Sequence, residues 1–104
     1  MHVLITNGFL RGRTGSEEYV RDIAAGLARR GHRIEIYAPL VARGVARRFR
    51  ALGVRVVDRV AALEHAPDII HGQHTIAFPR AIARFPNTPV VQFEIGRASC
   101  RERV

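Results

Sequence analysis

The sequence predicts an α/β domain in which a parallel sheet is covered by helices on both faces, and three observations predict it. Short apolar runs such as Val3-Leu4-Ile5 and Ile69-Ile70 are nearly continuous, as expected of strands buried on both sides. Between such runs lie segments whose apolar residues recur at helical spacing, for example Val20, Ile23, Ala24 and Leu27. The two kinds of segment alternate along the chain, which is the cadence of parallel βαβ units with right-handed crossovers.

The first strand is predicted at His2-Val3-Leu4-Ile5-Thr6 and ends in the turn signal Asn7-Gly8. Asn7 to Ser16 is a loop carrying Gly8, Gly12 and Gly15 with Arg11 and Arg13 between them, and it feeds an amphipathic helix. Thr14 and Glu17 stand at capping-box spacing, with Ser16 an equal candidate for the cap. Glu17 and Glu18 fall in the first turn and Arg29 and Arg30 in the last, matching the helix dipole. Gly31 closes the helix. A second strand follows over Arg33 to Ala38, stopped by Pro39, and a second helix over Ala42 to Leu52 with Arg43, Arg47 and Arg50 off its apolar side. Val54 to Val57 is a third strand, Ala61 to His65 a helical turn, and Asp68 to His71 a fourth strand. Ile76 to Phe85 is a third helix and Pro89 to Phe93 a fifth strand.

The bulk composition narrows the function classes. At 104 residues there is room for one domain at most, since compact domains commonly run to roughly 100 to 150 residues. A two-domain catalyst does not fit. The hydrophobic fraction of 47% and charged fraction of 25% are those of an ordinary globular chain. No apolar run approaches the roughly 20 residues that span a bilayer, and Met1 leads straight into a strand pattern, so a cytoplasmic location is expected. The net charge of +8 comes from arginine alone, which reflects residue usage as much as a polyanionic partner. Where that charge acts, the guanidinium fork suits phosphate, carboxylate or an anionic lipid surface. The helix over Ala42 to Leu52 is the candidate for peripheral membrane contact, and packing of its apolar face on the sheet is the simpler reading. No basic strand interleaved with aromatics points to nucleic acid. A single cysteine, Cys100, excludes an internal disulfide framework and a cysteine-built metal site.

The glycine-rich first loop is the first candidate site. A loop feeding a helix start offers unpaired N–H groups and the positive end of a dipole to a phosphate or a sugar hydroxyl, here over Gly12 to Ser16. Gly8, Gly12 and Gly15 do not match the dinucleotide fingerprint, and no Lys-Ser/Thr pair makes a phosphate-binding P-loop. The second strand ends in Ala38-Pro39, without an acid for a ribose. A tight turn alone would also explain the glycines.

Thr14-Gly15-Ser16-Glu17, the helix ending Leu27-Ala28-Arg29-Arg30-Gly31-His32 and the strand closing in Ala38-Pro39 together resemble the N-terminal domain of family 4 glycosyltransferases of the GT-B fold. That family's loop reads Gly-Gly-x-Glu; Gly15, Ser16 and Glu17 take the last three places and Thr14 replaces the first glycine. Asp68-Ile69-Ile70-His71-Gly72-Gln73 is similar to the family's Asp-Val-Val-His-x-His strand end, with Gln73 at the second histidine and His74 displaced by one. The resemblance implies a Rossmann-like domain forming the acceptor side of a larger enzyme, incomplete in this chain and inactive alone. It further implies transfer of a hexose from a nucleotide-sugar donor to a sugar or lipid-linked acceptor, with retained anomeric configuration and no metal or other cofactor. Gln73 and His74 are then the catalytic candidates, and Gly12, Gly15, Ser16, Glu17 and His71 the substrate-binding ones.

Histidines His71 and His74 are expected on the rim that carries the first loop, where an imidazole can donate to or accept from a sugar hydroxyl. They lack a third ligand of suitable spacing for zinc. Two other readings stay open: an NAD(P)-linked oxidoreductase and a non-catalytic α/β binding module. Residues 1–93 form the expected domain. From Glu94 the sequence loses helical and strand periodicity, and Ile95 to Val104 resembles the translation of a common short-read sequencing adapter, so 94–104 is expected to be a non-native tail.

Overall fold

The computed structural model describes residues 1–10, 15–73, 77–94 and 99–103, with the backbone alone at residues 9, 16, 73, 92–94 and 99–103. In chain order its elements are β1 (His2–Thr6), β2 (Phe9–Leu10), α1 (Gly15–Arg29), β3 (Arg33–Tyr37), β4 (Leu40–Val41) and α2 (Val45–Arg50). Then come β5 (Val54–Val57), a 3₁₀ turn (Val60–Ala62), β6 (Ile69–Gln73), α3 (Ala77–Arg84), β7 (Val90–Glu94) and β8 (Ser99–Arg103). The main sheet runs β5-β3-β1-β6-β7-β8, parallel throughout except for the antiparallel pairing of β8 on β7. The chain therefore builds outward from β1 through β3 to β5 and then returns to place β6 on the other side of β1. This is the Rossmann-like order, and its reversal lies between β1 and β6.

The near-continuous apolar strands follow from burial on both faces. Val3, Ile5, Ile34, Ile36 and Val54 pack under α1 and α2 through Val20, Ala24, Val45 and Phe49. On the opposite face Leu4, Tyr37, Val57, Ile70 and Val90 meet Ala77, Phe78, Ala81 and Phe85 of the α3 region. Alternate residues of one strand thus serve two cores. At the end of α1, His32 N–H donates to Leu27 C=O at 3.2 Å and Gly31 N–H to Ala28 C=O at 3.1 Å. Gly31 has φ of 88°, so the helix stops in a Schellman turn that an L side chain would strain.

Several boundaries differ from expectation. The second helix is shorter than Ala42 to Leu52, because Leu40–Val41 pair with Phe9–Leu10 as a parallel ribbon and Gly44, at φ 83°, starts the helix afresh. Two-residue strands carry too little sequence for any period to be read. Ser16 lies inside α1 and is not its cap, while Thr14, the other candidate, lies outside the described residues. β6 runs on to Gln73, since Gly72 and Gln73 pair with Gln92 and Phe93. The tail, whose sequence carries no helical or strand periodicity, contributes β8: the outer edge of β7 offers unpaired backbone groups, and a four-residue link can return only antiparallel.

One buried acid interrupts the apolar pattern. Glu35 is 2% exposed in the middle of β3, with His2 Nε2 2.5 Å from Oε1 and Arg55 Nη1 donating to Oε2 at 2.7 Å. These partners come from the strands on either side, so the acid ties β1, β3 and β5 together. Asp68 has a comparable role at the amino end of β1: its carboxylate accepts from His2 N–H at 2.7 Å while its own N–H donates to His2 C=O at 2.7 Å.

Candidate functional site

In open α/β sheets ligands sit beyond the carboxyl ends of the strands where the order reverses, which here is the rim between β1 and β6. The floor on the β1 side is made by Thr6 and Asn7, both buried. Asn7 N–H donates to Tyr37 C=O at 3.0 Å, and its Oδ1 accepts from Gly8 N–H at 3.0 Å, which fixes the strand exit. Its amide Nδ2 is buried and has no hydrogen-bond partner among the described residues. A buried amide donor in that state costs free energy on the order of 1–3 kcal/mol, which makes Asn7 a candidate to meet a ligand oxygen.

On the β6 side the rim is made by His71, Gly72 and Gln73. His71 is half-buried, and burial lowers its pKa below the ordinary 6.5, with a backbone hydrogen bond acting weakly the other way. The imidazole is therefore neutral near pH 7 and able both to donate and to accept. Gly72 is buried with the Phe78 ring of α3 directly over it, so that a Cβ at this position would fall among the ring atoms. The glycine lets α3 close down on the strand end that carries His71.

The first turns of α1 meet this rim through Tyr19. Its ring centroid lies 6.4 Å from that of His71, with planes inclined at 42°. Glu17, two residues earlier and about 200° away around the helix, is buried and faces a small cleft lined also by Glu18, Arg21, Val45, Arg48 and Phe49. The structure thus separates two residues that the sequence grouped: His71 stands at the rim, and Glu17 points toward α2. Gly15 and Ser16 open α1. Gln73 ends β6, while His74 and Gly12 lie outside the described residues. No group of three histidine, cysteine or acidic residues able to hold a metal ion occurs among the described residues.

Tyr19 and Asn7 were not singled out in the sequence. Tyr19 sits beside the apolar stripe of α1, where an aromatic reads as further packing, and Asn7 reads as a turn former. The available signal was positional: each lies within a few residues of an end of the glycine loop.

No protein-family model matches the sequence, and no curated protein matches it. Among solved structures, the fold is similar to that of CalG4, the calicheamicin glycosyltransferase, with a TM-score of 0.61 and 18% sequence identity over 94% of this chain. The matched region is 33% of that protein, so the chain spans about a third of the length of the glycosyltransferase it resembles. At this identity the likeness establishes the Rossmann-like α/β fold.

Proposed function

We propose that this chain is the acceptor-side portion of a sugar transferase that moves a hexose from a nucleotide-sugar donor to a sugar or lipid-linked acceptor. The observation that supports this reading most is the likeness over 94% of the chain to a solved glycosyltransferase, coupled with a histidine-bearing rim at the reversal of strand order. The NAD(P) reading is less well supported: β3 ends at Tyr37, is followed by Ala38-Pro39, and brings no carboxylate to the place where a ribose would lie.

In this reading the acceptor hydroxyl lies over the rim between Asn7 and His71. The neutral imidazole of His71 accepts its hydrogen bond, and the orienting and proton-accepting roles that the resemblance implies fall to Gln73, at the end of β6, and to His74, outside the described residues. Gly15 and Ser16 open α1 at the other lip, where backbone N–H groups face an oxygen of the substrate, and Gly12, outside the described residues, keeps the substrate-binding role that the sequence suggests. Glu17, turned toward α2, acts by shaping that helix start. The donor diphosphate is bound mainly by a second domain closing over this wall, and the acceptor oxygen bonds to the anomeric carbon as the diphosphate leaves, with configuration retained. The cytoplasmic location expected from the sequence goes with a nucleotide-sugar donor. Residues 94–104 are, in the same reading, a non-native tail, and this chain alone is inactive. Calorimetric titration of the complete protein with nucleotide sugars and with NAD(P) tests the proposal: heat with NAD(P) alone would sink it.

A further inference from the structure

Outside the rim, α2 and the residues flanking it carry a concentration of exposed arginines. Val45 and Phe49 anchor α2 on the sheet, and they fix which way its other residues point. Arg47 and Arg50 lie roughly opposite that buried pair around the helix, and Arg43, Arg47, Arg48 and Arg50 are all exposed. None of the ion pairs found among the described residues engages any of these four. Immediately before and after the arginines stand Leu40, 58% exposed, and Leu52, 39% exposed. Among the described residues the large exposed apolar side chains are these two and Met1. Segment 40–52 therefore carries four exposed arginines, of which Arg48 also lines the cleft with Glu17 and Glu18, between two exposed aliphatic side chains that water disfavours.

We infer that segment 40–52 is a docking surface for an anionic lipid bilayer. The guanidiniums meet headgroup phosphates, and Leu40 and Leu52 enter the boundary between headgroups and acyl chains. The chemistry favours lipid over nucleic acid. A nucleic-acid surface would set aromatic side chains among its arginines for stacking, whereas the exposed apolar residues here are aliphatic. Leu40 belongs to the β2–β4 ribbon, and β2 follows β1 directly at the carboxyl end of the sheet. The surface thus begins on the side of the molecule that carries the rim. The inference stands on these residues and not on the sugar-transferase reading.

Flotation of the full chain with vesicles of phosphatidylcholine alone, or with one third phosphatidylglycerol, tests it. Binding is expected to the anionic vesicles only, and to fall away in 0.5 M salt, since an exposed charge interaction is screened within a few ångströms there. Each arginine at such a surface is worth roughly fivefold in partitioning, so R47Q/R50Q loses roughly twenty-five-fold. R29Q/R30Q, which removes the same charge from two exposed residues at the end of α1, loses less than about twofold because only a local patch is engaged. Leu40→Ser weakens binding by roughly threefold to tenfold, as burial of part of one leucine side chain requires. All the substituted side chains are exposed, and circular dichroism checks that each variant keeps its fold. Equal losses in the two arginine pairs, equal binding to neutral vesicles, or tighter binding to a DNA duplex than to anionic vesicles would each overturn the inference.

Discussion

His71 titrates differently in the folded chain than in the unfolded one, and the sign of the consequence is definite. Burial holds its pKa below 6.5 in the folded state, whereas the unfolded chain takes up the proton at 6.5. Above that pH both states are neutral and the full stability is present; as pH falls through 6.5 the unfolded state binds a proton that the folded state refuses, and stability declines. His71→Gln should therefore lose less stability than the parent between about pH 7.5 and pH 5.5, as read from urea midpoints. An equal or steeper loss would contradict a buried, neutral imidazole. Beside it, Gly72→Ala drives a methyl group into the Phe78 ring, and overpacking of this kind costs about 1–3 kcal/mol. Thermal unfolding reads that cost, and a Gly72→Ala variant as stable as the parent would show that α3 does not press on the strand as described.

At the scale of elements, the buried acid of β3 makes an asymmetric prediction. Removing Arg55 leaves a desolvated carboxylate with His2 as its remaining partner, so Arg55→Leu should cost about 1–3 kcal/mol. Glu35→Leu instead replaces the charge with apolar volume in a core position, and frees an arginine that is already 48% exposed. It should cost less than Arg55→Leu in parallel urea titrations. The elements themselves were unevenly legible. β1, β3 and β5 were read nearly to the residue, since short runs rich in apolar and β-branched residues bounded by Gly or Pro leave few alternatives. The end of α1 was legible for the same kind of reason, because Gly31 after two arginines is a local signal. The β2–β4 ribbon was not, since each of its strands is two residues long and owes its form to the other. The rim was half legible. His71 at a strand end can be located from sequence, but its ring contact with Tyr19 joins residues far apart in the chain, and no local pattern records it.

For the whole molecule, the order β5-β3-β1-β6-β7 makes one parallel sheet with its reversal at the candidate rim, and β8 only covers the outer edge of β7. If residues 94–104 are foreign to the domain, the central strands do not depend on them. A chain ending at residue 93 should keep slow hydrogen exchange in β1, β3 and β6, with loss of protection confined to β7; loss across β1 would make the tail an integral part of the fold. The larger claim concerns what this sheet contributes to a complete protein. Isothermal calorimetry of that protein against a panel of nucleotide sugars and against NAD(P) addresses it most directly. A sugar transferase gives saturable heat with at least one nucleotide sugar and none with NAD(P); saturable NAD(P) binding without any nucleotide-sugar binding would contradict that role.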